Sequence, residues 1–118
     1  MVVSNEIVYY LKYVKKYFYS EYGIMLTNKQ CVSHCIHASI DTVKGSIESN
    51  YARLRIVSMP GKDRSTIAID SIDRAKLLML QKQLGFIKVS LPFLLSVVII
   101  EQGKVYIELC RLKGISLE

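Results

Sequence analysis

The chain has 118 residues, 51% hydrophobic and 22% charged, with a formal net charge of +6. That length suits one domain burying roughly two thirds of its unfolded surface, and its apolar fraction, with only two prolines and six glycines, excludes a disordered or collagen-like chain. Three cysteines, Cys31, Cys35 and Cys110, are an odd number without a Cys-x-x-Cys pair, so neither a disulfide framework nor a zinc ribbon is indicated, and reduced thiols point to a cytoplasmic protein.

The start, MVVSNEIVYYLKYVKK, lacks a basic region ahead of an apolar stretch and does not read as a signal peptide. The longest uncharged run, residues 89–100, is twelve residues, short of the ~20 that span a bilayer, so no membrane partner is expected. An isoelectric point near 9.3 leans toward a polyanionic partner.

Residues 5–22 place Ile7, Val8, Leu11, Val14, Tyr17 and Phe18 at helical spacing, with Lys12, Lys15 and Lys16 toward water. Ser4 or Asn5 starts this helix and Gly23 ends it. Six of the eight tyrosines lie here: Tyr9, Tyr10, Tyr13, Tyr17, Tyr19 and Tyr22. They cover more of the helix than one core face requires, which fits either packing with phenols reaching water or a homodimer interface.

In LTNKQCVSHCI, Thr27 or Asn28 caps a short helix whose inward residues are Cys31, Val32, Cys35 and Ile36. A break at His37-Ala38-Ser39 follows, and Ser39 caps a second helix, 40–50, with Val43 and Ile47 inward: a helix-turn-helix. The period then changes to two. Residues 53–59 read as a strand, Pro60-Gly61-Lys62-Asp63-Arg64 as a turn, and residues 65–70 as the returning strand of a basic-tipped β-hairpin.

Ser71 caps a further helix over 72–84, with Ile72, Ala75, Lys76, Leu77, Leu80 and Leu84 on one side and Gly85 closing it. Residues 86–91 look extended. Pro92 either opens a helix over 93–100 or interrupts a strand, and the helix is favoured because proline suits the first helical position. Glu101-Gln102-Gly103-Lys104 then reads as a turn and residues 105–112 as a strand.

Helix, helix-turn-helix and cationic hairpin in this order resemble the winged helix-turn-helix superfamily. The segments carrying the resemblance are LTNKQCVSHCI, ASIDTVKGSIES and RLRIVSMPGKDRSTIAID. Val32, Ile36, Val43 and Ile47 occupy the motif's buried positions and Ser33 its small crossing position. His37 departs from the glycine of many simpler members. The resemblance implies an α+β fold in a single domain of residues 1–118: a winged core over 26–70, an N-terminal helix over 5–22 and a C-terminal extension over 71–118 that serves dimerisation. It implies sequence-specific double-stranded DNA binding by a dimeric transcriptional regulator or repressor, or by a partition protein. The chain is similar to small plasmid, phage and archaeal-virus regulators, including TubR-like centromere-binding adaptors.

On that frame the recognition helix sends Thr42, Lys44, Ser46 and Ser49 outward, toward the major groove. Arg53 and Arg55 share a strand face, and Lys62 and Arg64 ride the wing tip to meet phosphate. No cofactor and no catalysis are expected. His34 and His37 with Cys31 and Cys35 match no common zinc spacing, and no phosphate-binding loop, carboxylate pair or nucleophile elbow is present. Two alternatives remain. One is a tandem ribbon-helix-helix, with Val2-Val3-Ser4, 7–22 and 26–40 as one unit and 66–70, 72–84 and 89–101 as the other, which puts strands in the major groove. The second is a winged scaffold for protein contacts through the apolar run 89–100.

Overall fold

Local capping chemistry sets where the helices begin and end. In the computed structural model, residues 1–58, 63–85 and 87–116 are described, 55–58 by backbone alone. The first strand, β1 (Val2–Ser4), runs directly into α1 (Asn5–Tyr22), because the Ser4 hydroxyl accepts the Glu6 amide at 3.2 Å. Gly23 ends α1 at φ 67°, donating its amide to the Tyr19 carbonyl at 2.9 Å. Thr27 and Gln30 then cap one another: Thr27 Oγ1 accepts the Gln30 amide at 3.2 Å and Gln30 Oε1 accepts the Thr27 amide at 2.9 Å.

That capping box opens α2 (Asn28–Ser58), a 31-residue helix interrupted once, by non-helical dihedrals at Asn50. The expected break at 37–39 is absent. Ser39 is fully buried within α2 and caps nothing; instead its carbonyl accepts the Thr42 hydroxyl at 3.0 Å. The reason lies in the spacing of the buried residues. Ile36, Ser39, Val43 and Ile47 are three, four and four apart, all at 0% exposure, so one apolar stripe crosses the supposed turn without losing helical phase. The expected strand at 53–59 is likewise helical through Ser58, with Tyr51 and Leu54, three apart, leaning on the core.

The second strand, β2 (Arg64–Thr66), does not return along residues 53–59. It pairs antiparallel with β1, in the register Val2↔Thr66, Val3↔Ser65, Ser4↔Arg64. Of the turn expected at Pro60-Gly61-Lys62-Asp63-Arg64, residues 60–62 lie outside the described residues, and Arg64 already belongs to β2. Asp70, rather than Ser71, caps α3 (Ser71–Gln83) by accepting the Ile72 amide at 3.2 Å, and Gly85 leaves that helix at φ 59°. Residues 87–90 are irregular.

The Ser90 hydroxyl accepts the Phe93 amide at 3.2 Å, and with Pro92 in the first turn it opens α4 (Leu91–Leu112). The helix expected from Pro92 therefore forms, but it does not stop at Glu101. The expected turn at 101–104 and strand at 105–112 are both helix, because Gly103, Tyr106 and Cys110 carry the buried stripe onward at spacings of three and four. Positions 94–100 are all 3% exposed or less, so α4 is enclosed on every side over that stretch.

The winged helix-turn-helix is thus corrected. Among the described residues the chain forms four helices and one two-stranded ribbon, in the order β-α-α-β-α-α. Its two β-α-α halves interlock. The first helix of each half packs on the second helix of the other, α1 on α4 and α3 on α2, and the two second helices, α2 and α4, pack on each other. No described helix is long and apolar enough to cross a membrane.

Candidate nucleic-acid interface

A two-stranded ribbon has two faces, and directly paired residues share one. Val3, 2% exposed, belongs to the core, so the Val3–Ser65 pair defines the inner face. The other pairs, Val2–Thr66 and Ser4–Arg64, define the outer face. There Val2 is 48% exposed and Arg64 and Thr66 are exposed, while Ser4 is buried in its capping role.

The ribbon is held beyond its three-residue ladder. The Ile67 amide donates to the Met1 carbonyl at 2.7 Å, the Met1 ammonium to the Ile67 carbonyl at 2.9 Å, and the Asn5 amide to the Asp63 carbonyl at 3.1 Å. Ser65 also donates its hydroxyl to the Asn5 side chain. Two strands this short are marginal alone. Here the inner face and both ends are anchored, which presents the outer residues in a fixed geometry.

The residues expected to touch DNA are distributed differently from the winged arrangement. Arg64 sits on the ribbon's outer face. Thr42, Lys44, Ser46, Ser49 and Arg53 instead ride on α2, a long helix without a turn ahead of residue 40. Thr42 back-bonds within α2; Lys44 is half-buried, lining a cleft of about 200 Å3 with Ile40, Asp41, Lys76, Met79, Leu80 and Gln83 from α2, α3 and its end. Ser46 is half-buried, Ser49 and Arg53 are exposed, and Arg53 lies past the kink at Asn50. The Arg55 side chain and Lys62 lie outside the described portion. Val2 and Thr66 are not among the expected contacts; the signal for them is the pair of strands, Val2-Val3-Ser4 and 66–70, of the tandem alternative.

Half of the tyrosine girdle is used within the chain. Tyr10, Tyr13 and Tyr17 pack on the core, whereas Tyr9, Tyr19 and Tyr22 are exposed. Phe18, His34 and Tyr106 form an aromatic cluster: the His34 and Phe18 ring centres are 5.0 Å apart, and His34 Nε2 shares a hydrogen bond of 2.5 Å with the Tyr106 hydroxyl. Burial, and next the neighbouring His37, hold the His34 pKa below its ordinary 6.5; burial pushes Tyr106 up to about 12.

The sign of the His34 shift gives a test. Above pH ~6.5 the imidazole is neutral in both states; below it, the unfolded chain takes the proton first, so stability falls until the lower folded pKa is passed and then levels. Urea midpoints at about pH 7.5 and 5.5 are expected to drop more for the wild type than for His34→Gln, which keeps an acceptor for Tyr106 but does not titrate.

All three cysteines are buried as free thiols. Burial raises the thiol of Cys31 to about 11 and that of Cys35 to about 12, so both pack as small neutral side chains. Among the described residues no group of three His, Cys, Asp or Glu is placed to hold a metal. No protein-family model, no curated protein and no solved structure matches the chain.

Proposed function

We propose that the protein binds double-stranded DNA as a tandem ribbon-helix-helix, with the outer face of β1 and β2 entering the major groove. The single observation that carries this reading is the antiparallel pairing of β1 with β2, strands that head two β-α-α halves and expose Val2, Arg64 and Thr66 side by side. The B-DNA major groove, ~12 Å wide, admits a two-stranded ribbon. A net charge of +6 favours the polyanion by releasing its counterions. One chain supplies both strands, so a homodimer is not needed to complete the ribbon.

In this reading the duplex is an operator or a partition site, and binding regulates transcription or marks DNA for segregation. Of the run 89–100 that the protein-only alternative would use, positions 94–100 are buried in the core, which favours the duplex reading.

Fluorescence anisotropy with a mixed-sequence duplex at rising salt tests the proposal. Affinity is expected to fall steeply with salt, with a log–log slope of about −0.9 per phosphate contact. Arg64→Ala, which removes a cation from the outer face, is expected to weaken binding. Absent or salt-insensitive binding refutes the duplex reading.

A further inference from the structure

We infer that the preferred duplex is non-palindromic, because the two strands that meet in the ribbon are chemically different readers. The inference rests on the duplex-binding reading above and specifies its substrate. The Val3↔Ser65 pair lies at the centre of the three-pair ladder. A two-fold axis through that pair carries Val2 onto Arg64 and Ser4 onto Thr66. In a ribbon made by two copies of one strand, equivalent positions hold the same side chain, and the site must repeat itself inverted.

Here equivalence joins an exposed valine to an exposed arginine. Arginine is suited to the paired acceptors O6 and N7 of guanine; a valine methyl has no donor and is suited to the thymine methyl. The second equivalent pair differs as well. The Ser4 hydroxyl is occupied in capping α1, whereas Thr66 is exposed with both hydroxyl and methyl.

The flanks carry the same asymmetry. β1 passes straight into α1, but residues 67–70 intervene between β2 and α3. Helix α1 has 18 residues against 13 for α3, and α2 has 31 against 22 for α4. With both strands in one chain the two arms of the site need not match, and the residues at the ribbon differ: one arm asks for guanine opposite Arg64, the other for an apolar thymine edge opposite Val2.

The test is selection by the full chain from a duplex pool with a randomised central block. Anisotropy competition at fixed salt then compares the selected duplex with the two palindromes made by inverting each of its arms. The expected motif is non-palindromic, with the palindrome of the Val2 arm bound roughly 10-fold more weakly. Arg64→Ala is expected to erase preference in one arm only. Val2→Arg, at a position already exposed, is expected to shift selection toward the palindrome of the Arg64 arm. Selection of a palindrome by the wild type, equal losses in both arms with Arg64→Ala, or salt-sensitive binding without sequence preference would overturn the asymmetry while leaving duplex binding intact. Failure to bind any duplex overturns both.

Discussion

Val3→Asp is expected to destabilise the protein by about 3 kcal/mol or more, whereas Val2→Asp changes stability by less than about 0.5 kcal/mol. The two valines are adjacent in sequence and opposite in environment: Val3 is 2% exposed and part of the core, Val2 is 48% exposed on the outer face. A carboxyl group at position 3 displaces apolar contacts and resists ionisation. Its folded pKa therefore rises above that of the unfolded chain, and the penalty grows as pH climbs through the ordinary carboxylate range. Urea unfolding at about pH 7 and pH 3 reads this directly, with the gap between the variants narrowing in acid. Amide exchange at Asn5 and Ile67, which donate to Asp63 and Met1 across the ribbon ends, is expected to quicken in Val3→Asp alone. Equal losses in the two variants would mean that the strands pair in another register.

Long-range pairing of this kind is what the amino-acid pattern conceals. The ends of α1 were readable because Ser4 and Gly23 act through their immediate neighbours, and the start of α4 because Pro92 suits a first turn. Asp70 took the capping role from Ser71, a one-residue difference between two good cap formers. Ser39 misled for a physical reason. A hydroxyl residue after His37-Ala38 has the chemistry of an N-cap, but the stripe Ile36, Ser39, Val43, Ile47 keeps helical phase through it. Gly103 misled in the same way, as turn punctuation, when Gly103, Tyr106 and Cys110 continue the buried face of α4.

The ribbon is the element least marked in the amino-acid pattern. A three-residue strand is too short to display alternation, and the turn chemistry of Pro60-Gly61 drew residues 65–70 toward a partner nearby in sequence. Their partner in space is at residues 2–4. Arg64 stands out by its charge, whereas Val2 and Thr66 fall within the strands 2–4 and 66–70 of the tandem alternative, and only the pairing shows that they share a face with Arg64. Thr42, Lys44, Ser46, Ser49 and Arg53 follow from a separate helix over 40–50, and those residues lie within the longer α2.

Gly103→Ala is expected to destabilise the protein by about 2 kcal/mol, although alanine in a helix interior ordinarily gains up to ~1 kcal/mol over glycine. The cause is the closeness of α1. A Cβ at position 103 would lie 2.4 Å from Tyr10 Cδ1, 2.7 Å from its Cβ and 2.8 Å from its Cγ, all below contact distance. The ring of Tyr10 thus rests on the backbone of α4, and the helices must separate or Tyr10 must leave its position to admit a methyl group. Gly45, in α2, is the internal control, since nothing lies within 4 Å of the Cβ it lacks; Gly45→Ala is expected to be neutral or to stabilise by up to ~1 kcal/mol. Adding Tyr10→Ala to Gly103→Ala removes the Cγ and Cδ1 clashes but keeps that with Cβ, so the double variant is expected to recover part of the loss, with a coupling energy of about 1 kcal/mol in thermal or urea unfolding. If Gly103→Ala stabilises as Gly45→Ala does, α1 does not approach α4 as closely as the shared packing of Tyr10 and Gly103 requires.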